Sequence, residues 1–140
     1  MKPVATLLIL LLSAQSLWAG EEAVRVLNQF RADQGRAAVG WSERLEQAAA
    51  GHARDMLENG FFSHTGSDGS DIGQRVARTG YKWCYIAENI ARGQRSLYEV
   101  MDRWAASSGH RRNMLLRDVR EFALVEGPGR IWVMVLAQPC

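Results

Sequence analysis

Hydrophobic positions fall at helical spacing through the first half of the chain and in extended runs towards its end. In Glu21 to Asp33, Ala23, Val26, Leu27 and Phe30 form one stripe, which predicts a helix that Gly35 ends. Ser42 is placed to cap a second helix, with Glu43 favourably sited in its first turn. Leu45, Ala48, Ala49, His52, Ala53, Met56 and Leu57 then follow amphipathic spacing, and Gly60 is a stop. Phe61 to Ser70 reads as a polar loop, and Asp71 to Arg78 as a short helix closed by Gly80. Tyr81 to Ala91 carries strand-type residues. Ser96 with Glu99 opens a further helix, whose buried stripe is Leu97, Val100, Met101, Trp104 and Ala105. A short helical turn is expected around His110 to Leu115. Val119 to Glu126 and Arg130 to Ala137 are β-like runs joined by Gly127-Pro128-Gly129, which is hairpin chemistry. The second run is almost continuously apolar from Ile131, so both of its faces should be covered. Helices followed by a three-stranded antiparallel sheet predict an α+β sandwich.

The first residues break this pattern. Lys2 precedes an apolar run, Val4 to Leu12, interrupted only by Thr6, and small residues follow up to Ala19 and Gly20. That is the layout of a secretory signal peptide over 1–19, with cleavage after Ala19. An uncleaved anchor is the alternative, but a membrane-spanning helix needs about 20 apolar residues and this run is much shorter. Residues 20–140 then suit one compact domain, expected to be monomeric, with no membrane span after cleavage. The chain carries 17 Lys and Arg against 15 Asp and Glu. A near-neutral balance, spread along the chain, gives no reason to expect a nucleic-acid partner. Two cysteines, Cys84 and Cys140, permit one disulfide in an exported protein.

Three segments could carry chemistry. His64 opens the polar loop after Phe61-Phe62-Ser63, and a loop histidine either braces the loop or offers a nitrogen near neutral pH. Strand alternation puts Cys84, Ile86, Glu88 and Ile90 on one face, so the Glu88 carboxylate needs a partner there. His110 follows Ser107-Ser108-Gly109 at a helix break, where the serines read first as caps. His52 lies on the apolar stripe of its helix and reads as a core histidine.

Taken together, HARDMLENGFFSH at 52–64, GYKWCYIAENIA at 80–91, SSGHRRNML at 107–115 and NQFRADQG at 28–35 resemble the bacterial branch of the CAP superfamily of SCP-like extracellular proteins. The resemblance covers residues 20–140 and implies an α-β-α sandwich with the three-stranded sheet flanked by helices. It also implies a cleft that includes His64, Glu88 and His110. Eukaryotic relatives have a second glutamate shortly after the tryptophan that Trp104 matches; Ser107 stands near that place here, so the resemblance implies that the fourth member of the set is missing. The resemblance implies a divalent cation such as zinc as the candidate cofactor, held by His64, Glu88 and His110. It further implies a periplasmic or extracellular location and a partner such as a lipid, another amphiphile or an envelope component. Two functional readings follow. One is a secreted binding module, for which Trp41, Trp83, Trp104 and Trp132 are candidate groove residues. The other is a metal-assisted hydrolase acting on envelope material or protein, with Glu88 as ligand or general base. No nucleophile elbow or zinc-protease helix motif accompanies the second reading, so a binding role is the expectation.

Overall fold

A computed structural model describes residues 4–140, with side chains from Ala19 onward. Five helices and four strands alternate in the order α1 (Val4–Asp33), β1 (Gly40–Trp41), α2 (Glu43–Glu58), α3 (Ile72–Arg78), β2 (Trp83–Arg92), α4 (Leu97–Ala105), α5 (Ser108–Met114), β3 (Glu121–Gly127) and β4 (Ile131–Pro139). The side chains of the expected leader up to residue 18 lie outside the described residues. The expected cleavage point after Ala19 falls within α1. Among the described residues no helix is long and apolar enough to cross a membrane.

The helix starts follow their local chemistry. The Ser42 hydroxyl accepts the Leu45 amide, and the Ser96 hydroxyl accepts the Glu99 amide. Asp71 and Gln74 form a reciprocal capping box at the start of α3.

The sheet has four strands in the order β1-β3-β4-β2. This corrects the expectation of three. β1 is two residues long, too short to show any periodicity, and it pairs parallel with Glu121 and Phe122 of β3. The other two pairings are antiparallel, as expected. A three-residue turn, Pro128-Gly129-Arg130, joins β3 to β4, with Gly129 and Arg130 in left-handed backbone (φ 74 and 56). At Gly127 a Cβ would stand 2.5 Å from Cβ of Ala53, so only glycine lets the hairpin lie against α2.

β4 accounts for the layering. It lies between β3 and β2, and Ile131–Ala137 is buried throughout. Trp132, Met134 and Leu136 pack with Ala23, Leu27, Val100, Met101, Trp104 and Met114 from α1, α4 and α5. Ile131, Val133, Val135 and Ala137 pack with Leu45, Ala49, Ala53, Met56 and Val76 from α2 and α3. Strict alternation along one apolar strand therefore sorts the helices into two layers, giving the α-β-α sandwich.

β2 is an edge strand with an irregular start. Trp83 pairs with Pro139, and Tyr85 pairs with Gln138, so Cys84 sits in a bulge. The alternation expected to align Cys84 with Ile86 and Glu88 is interrupted there. Cys84 and Cys140 form the disulfide, which ties the end of β4 to the beginning of β2. The Cys140 amide also donates to the Lys82 carbonyl.

The disulfide closes a separation of 56 residues. In the chain-entropy account such a loop stabilises by about 4 kcal/mol. The double variant C84A/C140A should lose up to that amount in urea unfolding, and an unchanged midpoint would show that β2–β4 pairing holds this rim unaided.

Candidate functional site

Alternation along β2 sends neighbouring residues to opposite faces of the sheet. Ile86 and Ile90 join the α2/α3 layer, while Ala91 joins the α1/α4/α5 layer. Glu88 therefore faces α2 and α3, and Asn89 faces α5. Both are buried.

On the first face, the Glu88 carboxylate is held from two sides. Arg75 Nη2 lies 3.0 Å from Oε2 and 3.3 Å from Oε1. His64 Nδ1 lies 2.8 Å from Oε1. His52 Nε2 is 3.9 Å from the same oxygen. The carboxylate side chain is 2% exposed and that of Arg75 9%, whereas that of His64 is 58% exposed. The site is thus a buried ion pair with a half-open imidazole docked on its outer side.

His52 is buried in α2, as its apolar stripe predicts. Its Nε2 lies 2.8 Å from the Ser63 carbonyl oxygen. That oxygen can only accept, so Nε2 carries the proton, and in the neutral ring Nδ1 holds the lone pair. Nδ1 and Arg75 Nε are buried without a hydrogen-bond partner. The bond to Ser63 fixes the start of the loop that carries His64.

On the second face, His110 Nδ1 lies 3.0 Å from Ser107 Oγ. Ser107 occupies the N-cap position of α5, but its side chain makes no capping bond. The expected cap is replaced by a serine–histidine contact. Asn89 Nδ2 donates to the His110 carbonyl, and Asn113 Nδ2 donates to Asn89 Oδ1 and to the Glu88 carbonyl. These amides tie the start of α5 to β2. The His110 ring also lies 6.3 Å from the Trp104 ring.

The expected residues therefore form two pairs, His64–Glu88 and Ser107–His110, and among the described residues no side-chain hydrogen bond joins one pair to the other. They sense each other electrostatically. Burial lowers the His110 pKa, and the neighbouring His64 charge lowers it further. The hydrogen bond with Glu88 raises the His64 pKa, against an opposing effect of burial. Burial also pushes His52 down, opposed by the Glu88 charge.

Glu88 itself is poorly placed to ligate a divalent cation. Both Glu88 oxygens are within reach of a guanidinium, and a metal placed there would face that fixed positive charge. With Nδ1 on the carboxylate, His64 presents only Nε2 outward. Among the described residues, no three His, Cys, Asp or Glu side chains stand in a metal-holding arrangement. Of the four tryptophans considered as groove residues, Trp104 and Trp132 are core, Trp41 is partly buried against both layers, and Trp83 is 37% exposed.

Sequence reasoning did not find Arg75, Asn89 or Asn113. An arginine on a short helix resembles any solvated residue, and its partner lies 13 residues away on a strand. The one available signal was Glu88 itself, since a carboxylate on an apolar strand face requires a cation from somewhere.

Removing one partner of a buried pair leaves an uncompensated charge, which costs about 3 kcal/mol or more. R75M should lose about that much stability in urea unfolding, and R75M/E88M should lose less than the sum of the two single changes. A second check uses pH. A histidine with a raised folded pKa stabilises the fold below its unfolded value of 6.5 and loses that contribution as pH climbs through the folded value. His52 and His110, both lowered, act with the opposite sign: their contribution is present above 6.5 and is lost as pH falls through their folded values. H64Q should therefore be most destabilised relative to the parent near pH 5.5 and least near pH 8.5. A gap in urea midpoint that stays constant over that range would contradict the His64–Glu88 contact.

Comparison with known proteins agrees with this architecture. The sequence model of the cysteine-rich secretory protein family, CAP, matches residues 24–126. The uncharacterized protein YkwD of Bacillus subtilis is 30% identical over 95 residues, which is 68% of this chain and 37% of that protein. The uncharacterized membrane protein YlbC of the same organism is 28% identical over 98 residues, 70% of this chain and 28% of that protein. The chain thus spans well under half the length of these relatives. Among solved structures, an extracellular protein containing an SCP domain from Bacillus anthracis superposes with a TM-score of 0.80 at 22% identity, over 85% of this chain and 40% of that one. An outer surface protein from Borrelia burgdorferi superposes with a TM-score of 0.77 at 18% identity, over 86% and 92% of the two chains. At those identities the likeness is one of fold. With the family match covering most of its length, the chain belongs to the CAP, or cysteine-rich secretory protein, family.

Proposed function

We propose that this chain is an exported CAP binding module, acting in the periplasm or the extracellular medium, whose cleft presents His64 and the Ser107–His110 pair to a polar group on a lipid, another amphiphile or an envelope component. The leader pattern at residues 1–19 and the Cys84–Cys140 disulfide support export. The observation that carries the binding reading is the state of Glu88. Arg75 and His64 together engage both of its oxygens, so it acts as a fixed anchor that orients the His64 ring. A general base or a metal ligand must reach its substrate, and the Glu88 side chain is 2% exposed and paired with a guanidinium. His64 Nε2 makes no hydrogen bond among the described residues, and its ring is open to solvent, so it is free to meet a ligand.

One observation favours a hydrolase as the second reading. Ser107 Oγ is 3.0 Å from His110 Nδ1, and the lowered His110 pKa keeps that ring neutral and able to accept a proton. No carboxylate contacts the other His110 nitrogen among the described residues, so the pair lacks the third group that orients a catalytic base.

Both readings meet in one set of assays. Purified protein is offered peptidoglycan, casein and p-nitrophenyl esters, with and without chelator, alongside zinc calorimetry and native mass spectrometry. The binding module predicts no turnover, no zinc heat above background and an amphiphile or envelope fragment carried through purification. Turnover abolished in S107A, with covalent labelling by a fluorophosphonate, would replace it with the hydrolase. Zinc binding lost in H64A would restore a metal site.

A further inference from the structure

The two histidines of the cleft are held in different ways. His64 docks on the Glu88–Arg75 ion pair. His110 stands on α5, a helix of seven residues, which in isolation is too short to be stable. Met114, in the last turn, is the one buried residue of α5. Arg111 lies over the Phe30 ring at 5.1 Å, a contact with α1 and not with β2. Apolar packing therefore holds the far end of α5 against the core and leaves the end that carries His110 to polar contacts.

The polar contacts with β2 come from two amides. Asn89 is fully buried. Its Nδ2 lies 3.0 Å from the His110 carbonyl oxygen, while Asn113 Nδ2 lies 2.9 Å from Asn89 Oδ1 and 3.4 Å from the Glu88 carbonyl oxygen. A backbone carbonyl can only accept, so both amide orientations are determined. Turning Asn89 over would set its oxygen against the His110 carbonyl, and turning Asn113 over would set its oxygen against two others. The attachments fall at residues 110 and 113 of α5, on one face and one turn apart. Two points of attachment fix the rotation of a helix about its axis as well as its distance from the strand. Stability alone gives no reason for the pair, since replacing both partners of a buried hydrogen bond by apolar groups of similar shape is close to neutral.

We infer that Asn89 and Asn113 are positioning residues of the cleft, their amide pair orienting α5 so that the His110 ring stays beside Ser107 and Trp104 and faces the same cleft as His64. The inference deepens the binding reading and rests on it for its functional meaning: a ligand that touches both histidines meets them at a spacing set by the two amides. The electrostatics agree with that spacing. Burial lowers the His110 pKa, and the charge of His64 lowers it further.

The chain has three histidines, so their ring resonances can be followed individually by NMR through a pH titration. The parent, H64Q, N113L and H64Q/N113L form a double-mutant cycle. In the parent background, H64Q should raise the His110 titration midpoint, because a neighbouring cation is lost. In N113L the start of α5 is released. The His110 ring protons should then lose the shift imposed by the Trp104 ring, 6.3 Å away, and the step produced by H64Q should shrink. Should the single change unfold the domain, N89L/N113L removes both amides and leaves neither half-paired, and the same two readings are taken from it. Asparagines that serve packing alone would lower the urea midpoint of these variants and leave both readings in place. An H64Q step of equal size with and without the amides, unmoved His110 ring protons, or a parent in which H64Q does not shift His110 overturns the inference. No ligand enters the measurement, so a cleft that binds nothing leaves the positioning result intact.

Discussion

A single carboxylate on an apolar strand face sets the terms for this end of the molecule. Glu88 projects from β2 into the layer formed by Ile86, Ile90 and the helices α2 and α3. An ionised carboxylate in such surroundings is expensive unless it is paired and hydrogen-bonded. Arg75 answers from α3 and His64 from the loop that precedes it, so one residue fixes the positions of two elements that sequence alone leaves independent. His52 then holds the His64 loop through the Ser63 carbonyl. The cleft is best understood as an anchored loop, with the acid serving the architecture and the imidazole facing outward.

The edge position of β2 is what allows residues from both layers to approach one another. In an interior strand, Glu88 and Asn89 would look into separate, closed layers. At the rim, the α2/α3 face and the α5 face meet around an uncovered strand. Asn89 and Asn113 bring the backbone of α5 against β2, and the His64 charge reaches His110. The two histidines influence one another although their hydrogen-bond partners differ.

Much of the fold was readable because it rests on local rules. The five helical stretches, the hairpin and the buried character of Ile131 to Ala137 follow from spacing, caps and turn residues. β1 escaped because two residues have no period, and its pairing spans from Gly40 to Glu121. The bulge at Cys84 escaped because it depends on register against β4. The same division holds at the site. His64, Glu88 and His110 stand out as types in context, and the need of Glu88 for a partner was visible. Arg75 as that partner was not, since ion pairing between α3 and β2 is a tertiary fact. Ser107 read as a cap because of its position, and the imidazole of His110 outcompeted the backbone for its hydroxyl.

The strand order has a temporal consequence. β4, which follows the other three strands among the described residues, lies inside the sheet, with β3 on one side and β2 on the other. Until it is available, β2 has no neighbour to bond and neither helical layer has a floor. The pairing of β2, and the central β3–β4 ladder, must wait for a strand that follows both in the chain, an order that keeps contacts non-local. Both helical layers therefore gain their shared floor only when β4 enters between β3 and β2.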